Sequence, residues 1–91
     1  MLRISEIESN GDAATLRLEG RAVGALVAEV IDACERYLSK GSRLTLDLAD
    51  LSFADREAIA LLQVLKSRGV ALTNCSPFLK EELKQAVLPS S

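Results

Sequence analysis

The sequence predicts an α/β fold: a four-stranded mixed sheet covered mainly on one side by three helices, in the order β-β-α-β-α-β-α. Three observations lead there. The apolar period changes along the chain, from alternation to steps of three and four and back again. Turn and cap residues stand at the changes: Asn10-Gly11-Asp12, Gly41, Gly69 and Asn74-Cys75-Ser76-Pro77. The chain has 91 residues, 48% of them apolar. A chain of this size buries roughly 60–65% of the surface its unfolded form exposes. That is enough for one core, so residues 1–91 read as a single domain.

The elements follow in order. Leu2-Arg3-Ile4-Ser5-Glu6-Ile7 alternates imperfectly, and Asn10-Gly11-Asp12 is a hairpin-type turn. Ala14-Thr15-Leu16-Arg17-Leu18-Glu19 alternates again and stops at Gly20, giving a β-hairpin with Ile4, Leu16 and Leu18 inward. From Val23 the period becomes helical: Val23, Leu26, Val27, Val30, Ile31, Cys34, Tyr37 and Leu38 form one stripe. Lys40-Gly41 closes that helix with a cation and a residue suited to αL. Leu44-Thr45-Leu46-Asp47-Leu48 is a strand with its leucines on one face, followed by a loop over Ala49–Phe53. A second helix runs from about Arg56 to Ser67 with Ile59, Leu62 and Leu65 as its stripe, and Val70–Thr73 is a short strand. Ser76 and Pro77 then suit the cap and first position of a third helix carrying Leu79, Leu83, Ala86 and Val87, after which 88–91 fray. Each strand–helix–strand unit closes right-handed into parallel pairing.

Composition narrows the chemistry. The formal net charge is −2, from 11 basic and 13 acidic residues without a basic stripe, and the aromatics are Tyr37, Phe53 and Phe78. That leaves neither the phosphate-neutralising charge nor the stacking platform of a nucleic-acid binder. No apolar stretch approaches the roughly 20 residues that span a membrane. The first residues, MLRISEIESNGD, read as strand and turn, without the apolar core of a leader. The expectation is a cytoplasmic protein with no direct membrane insertion. Histidine is absent, which removes the commonest general base and the commonest metal ligand. Cys34 and Cys75 belong to no CxxC pattern and read as small buried hydrophobes. No cofactor or metal is expected.

The stretch Phe53-Ala-Asp-Arg-Glu-Ala-Ile-Ala-Leu-Leu62 places Asp55, Arg56 and Glu57 where a strand-like run meets a helix. In an open sheet with parallel strands, ligands and partners engage the carboxyl ends of the strands. Both this corner and Asn74–Ser76 should emerge there. Asp55 can cap the helix, and Glu57 in its first turn suits the helix dipole. The same helix economics leave Arg56 unexplained. Asp47, between two leucines, should point away from the face they share; together with Asp50, Asp55 and Glu57 it reads as a solvated charge or cap before an acid–base or magnesium cluster. An enzyme is not expected.

Leu46-Asp47-Leu48-Ala49-Asp50-Leu51-Ser52-Phe53-Ala54-Asp55, followed by Ile59-Ala60-Leu61-Leu62, resembles the central signature of STAS domains, the anti-sigma-factor antagonist family. Gly69, Leu72, Asn74, Ser76 and Pro77 continue the pattern, so the resemblance spans roughly residues 2–87. It implies a STAS-like fold. Bacterial regulators of that family carry Asp-Ser-Ser/Thr-Gly at the corner, and a partner anti-sigma kinase phosphorylates the second hydroxyl. Here Asp55 matches the Asp, Arg56 replaces the first Ser, Glu57 occupies the phosphoacceptor position and Ala58 replaces the Gly. On this reading the domain is expected to lack the last strand and helix that many members carry. A glutamate carries one charge where a phosphoserine carries about −1.5 to −2, so it is at best a partial mimic.

What the resemblance implies is a non-catalytic protein-interaction module, docking a regulatory partner through Ser52, Asp55, Arg56, Glu57, Asn74 and Ser76 without serine phosphorylation. The implied partner is an anti-sigma kinase or, as an alternative, the ATPase of a lipid-trafficking ABC transporter. A second alternative is a small-ligand or nucleotide-binding domain, since a helix N-terminus attracts anions. Against it, no glycine-rich phosphate loop is present, and Asp55 and Glu57 would repel a phosphate at that helix start.

Overall fold

In the computed structural model, which describes residues 1–85, the first strands form the expected hairpin. β1 (Leu2–Ser9) and β2 (Ala13–Ala22) pair antiparallel, with a bulge between Glu6 and Glu8. Asn10 makes the turn: its Oδ1 accepts the N–H groups of Asp12 and Ala13, both at 2.9 Å. That is the local bond that favours asparagine in turns.

β2 is the spine of the sheet. One side carries β1; the other carries β3 (Arg43–Asp47) along residues 13–17 and β4 (Leu51–Ala54) along residues 20–22, both parallel. β5 (Ala71–Thr73) adds parallel to the far side of β3. The mixed sheet and three helices agree with expectation, but the strand count is corrected from four to five. The predicted loop over Ala49–Phe53 holds all of β4 but its last residue, Ala54. Its burial runs buried-exposed-exposed-buried from Leu51 to Ala54, so it lacks the alternation that marks a half-buried strand.

A glycine makes this second pairing possible. The register shifts between Gly20 and Arg21, the Gly20 N–H donates to Asp50 O at 3.0 Å, and Gly20 has φ +99. A Cβ at Gly20 would stand 2.3 Å from Met1 O, so only glycine fits this bulge unstrained.

Three helices cover one face: α1 (Leu26–Leu38), α2 (Arg56–Ser67) and α3 (Pro77–Gln85). Leu16, Leu18, Leu44, Leu46 and Leu48 of the sheet region share one buried cluster with Val30 and Cys34 of α1, Ile59, Leu62 and Leu65 of α2, and Leu79 of α3. The expected α1 stripe is corrected at two points. The helix starts at Leu26 because Val23-Gly24 turns the chain, with Gly24 at φ +54, and Ile31 is exposed. Arg68 clips the end of α2 to α1 through both Glu35 oxygens, at 2.7 and 3.3 Å. Of the third-helix reading, Ala86 and Val87, with the tail 88–91, lie outside the described residues.

Candidate functional site

The carboxyl ends of β3, β4 and β5 carry the predicted site residues, and most of those side chains have work inside the fold. Asp55 is the N-cap of α2: its Oδ1 accepts the Ala58 N–H at 2.9 Å, which meets one of the helix's otherwise unpaired donors. Its Oδ2 accepts the Gly24 N–H, also at 2.9 Å, and its own N–H donates to Ala22 O. These donated hydrogen bonds, Gly24 first and Ala58 second, hold the Asp55 carboxyl below its ordinary pKa. One side chain thus fastens the β2–α1 turn to the start of α2.

Ser52 donates its hydroxyl to Gly20 O at 2.8 Å, which ties β4 to the bulge in β2. Ser76 Oγ accepts the Leu79 N–H at 3.1 Å and caps α3, as the Ser-Pro pair predicts. Asn74, with φ +57, donates its amide to Asp47 Oδ1 at 3.0 Å. Arg56 and Glu57 differ from these four. Both are exposed, and neither side chain joins an ion pair among the described residues. The corner therefore holds an Arg-Glu pair outward on a backbone that Asp55 fixes from below.

Asp47 is the residue whose role the sequence does not announce. It points away from the leucine face, as the alternation requires, but it is buried rather than solvated, and that reading is corrected. The register aligns Ser5, Arg17, Asp47 and Thr73 across four strands. Asp47 accepts from the Asn74 amide, from the Ala49 N–H at 3.0 Å and from the Arg17 guanidinium at 3.4 Å. The Asn74 bond, then the Ala49 bond, and after them the charge of Arg17 draw its carboxyl below the usual range. The signal available in the sequence was a carboxylate between two leucines of a strand; its pairing with Arg17 became readable only in the sheet.

The first turn of α3 lies beside the corner. Between them runs an open trough of about 420 Å³, lined by Phe53, Ala54, Asp55, Arg56, Ile59, Phe78 and Glu82. Phe53 and Phe78 are 36% and 52% exposed. The Arg21 guanidinium lies 4.9 Å from the Phe53 ring centroid, a cation–π approach. The sequence reading missed this trough, because its two phenylalanines lie far apart in the chain. The signal was there in their exposure-prone neighbours, a strand-to-helix corner and a helix start.

The chemistry available here is that of contact. The α2 N-terminus, where an anion would sit, is already met by the Asp55 carboxylate, and Glu57 adds a second negative charge. Among the described residues no cluster of three His, Cys, Asp or Glu side chains is placed to hold a metal ion. No described helix is long and apolar enough to cross a membrane.

No protein-family model matches the chain, and no curated protein matches it. Solved structures do. The unphosphorylated form of the anti-sigma factor antagonist SpoIIAA superposes with a TM-score of 0.71 at 14% identity, covering 90% of this chain and 82% of that one. The chain thus has a STAS-like fold: a mixed sheet with three helices, arranged as in SpoIIAA.

Proposed function

We propose that this chain is a non-catalytic protein-interaction module of the anti-sigma-factor-antagonist type, docking a regulatory partner through the corner around Asp55–Glu57. The observation that carries the reading is the division of labour at that corner. Asp55 spends both carboxylate oxygens on backbone N–H groups, while Arg56 and Glu57 project from it without an ion-pair partner among the described residues. A rigid corner that holds out two charges of opposite sign favours recognition, since charged rims steer association and choose partners. The likeness of the fold to an anti-sigma factor antagonist supports the same reading.

The docking works without serine phosphorylation. Glu57 stands where the resembling family has its phosphoacceptor, and the neighbouring hydroxyls of Ser52 and Ser76 are engaged in hydrogen bonds within the fold. The partner is a cytoplasmic regulatory protein, an anti-sigma kinase or a transporter ATPase. Affinity capture from the source cells, comparing wild type with Glu57→Lys and identifying bound proteins by mass spectrometry, tests this. A kinase or an ATPase retained by wild type and lost by the variant supports the module. If neither bait retains anything above background, the corner is only a well-capped helix start.

A further inference from the structure

We infer that the trough between Phe53 and Phe78 is a charge-sorted anchor groove. It takes a short segment of a protein partner in which an apolar side chain lies between a carboxylate and a cation. This inference rests on the module reading above and names the chemistry of the partner. The floor is apolar, from Ala54 and Ile59. The two phenylalanines stand at its sides with a third to a half of their surface in solvent. Aromatic side chains left that exposed beside a concavity are the usual anchors of interface cores.

Charge decides the kind of occupant. The corner wall carries Arg56, and the α3 wall carries Glu82, one turn beyond Phe78. Neither side chain has an ion-pair partner among the described residues. Asp55, also in the wall, keeps its negative charge, but each of its oxygens accepts a backbone N–H and the positive end of α2 offsets part of that charge, which leaves Arg56 as the exposed charge of this wall. An occupant with one sign of charge would meet attraction on one wall and repulsion on the other. A segment carrying both signs around an apolar residue satisfies both walls, and rejects competitors by the same charges. Helix-in-groove and extended-peptide docking both present such spacings. At about 420 Å³ the trough falls within the range of about 300–1,000 Å³ usual for ligand-binding clefts.

The test uses the full chain and a phage-displayed library of random dodecapeptides. Wild type should enrich peptides that have an apolar residue flanked by one acid and one base. Glu82→Lys should shift the enriched set towards acids on both sides, and Arg56→Glu towards bases on both sides. Binding of the best wild-type peptide, followed by fluorescence anisotropy, should weaken at least tenfold in Phe78→Ala and less than twofold in Val64→Ala, an exposed position on α2 outside the trough. Sets that ignore the two charge reversals, or peptides that bind Phe78→Ala undiminished, overturn the groove. The capture experiment with Glu57→Lys can still succeed in that case, so the module reading survives separately. Concentration-dependent self-association that Phe78→Ala abolishes would also overturn the inference, by making a second copy the occupant.

Discussion

Asp55 Oδ2 accepts the backbone N–H of Gly24 at 2.9 Å, a bond between residues 31 apart in sequence. It joins the turn that leaves β2 to the start of α2, and the other oxygen of the same carboxylate caps that helix at Ala58. The corner is thereby a single rigid joint, and the two charges that follow it inherit its position. Gly24 is part of the arrangement: with φ +54 it adopts a conformation that L side chains seldom take, and that presents its N–H to the carboxylate.

The two oxygens can be separated by substitution. Asparagine at position 55 retains one carbonyl oxygen and replaces the other acceptor with a donor, so it can serve Ala58 or Gly24 but not both. Alanine serves neither. The melting temperature should fall in the order wild type, Asp55→Asn, Asp55→Ala, and hydrogen exchange should quicken at both the Gly24 and the Ala58 amides in Asp55→Ala but at one of the two in Asp55→Asn. Equal melting temperatures for Asp55→Asn and wild type would show that holding both amides at once contributes nothing.

Acid should find the same joint. The carboxyls of Asp55 and Asp47 are held below their ordinary values by hydrogen bonds, and that of Glu35 by its bond to Arg68. A group whose folded pKa is depressed contributes stability that is fully present above its unfolded pKa, about 3.9 for Asp and 4.3 for Glu, and lost as pH falls through the folded value. Urea midpoints measured from pH 7 downwards should hold until about pH 5 and then decline. An Asp47→Asn, Asp55→Asn double variant should start lower and decline less steeply. A parallel decline would mean that these two carboxylates are not the source of acid sensitivity.

How much of this was legible in the sequence depends on the range of each signal. The helical stripes at Val27, Val30 and Cys34 and at Ile59, Leu62 and Leu65 are local periodicities, and they appear in the structure where the periods place them. The Asn10 turn and the Ser76 cap are also local, one residue acting on a neighbour two or three positions away. β4 was missed because its existence depends on Gly20, some thirty residues earlier, opening a bulge that receives it. Asp47 and the Phe53–Phe78 trough were missed for the same kind of reason. Their meaning lies in a register and a juxtaposition that only the closed sheet creates.

The two cysteines should behave as different chemical species. Cys34 is fully buried in the core, and burial, with the nearby Glu35 charge, pushes its thiol up to about 11. Thiolate, the reactive form, is then scarce as well as shielded. Cys75 is half-buried between β5 and α3. With an aromatic disulfide reagent at pH 8, the native protein should show one thiol reacting and the second appearing only on adding denaturant. Cys75→Ser should abolish the native reaction, and Cys34→Ser should leave it. A fast native reaction that survives Cys75→Ser would show that the core around Cys34 opens readily.

Phe78 and Leu79 are neighbours at the start of α3, and the structure assigns them opposite duties. Leu79 is 1% exposed and is packed into the common core, while Phe78 is 52% exposed on the trough. Deleting a buried leucine side chain removes transfer energy and leaves a cavity, so Leu79→Ala should cost about 2–5 kcal/mol in urea unfolding. Such a loss is a large share of the stability of a domain this small, and it should loosen α3 first, because Leu79 is the α3 residue buried deepest in the described core. Phe78→Ala should change stability by no more than about 0.5 kcal/mol, as exposed substitutions do. If Phe78→Ala destabilises as much as Leu79→Ala, the ring is holding α3 in place, and its exposure serves the fold instead of a partner.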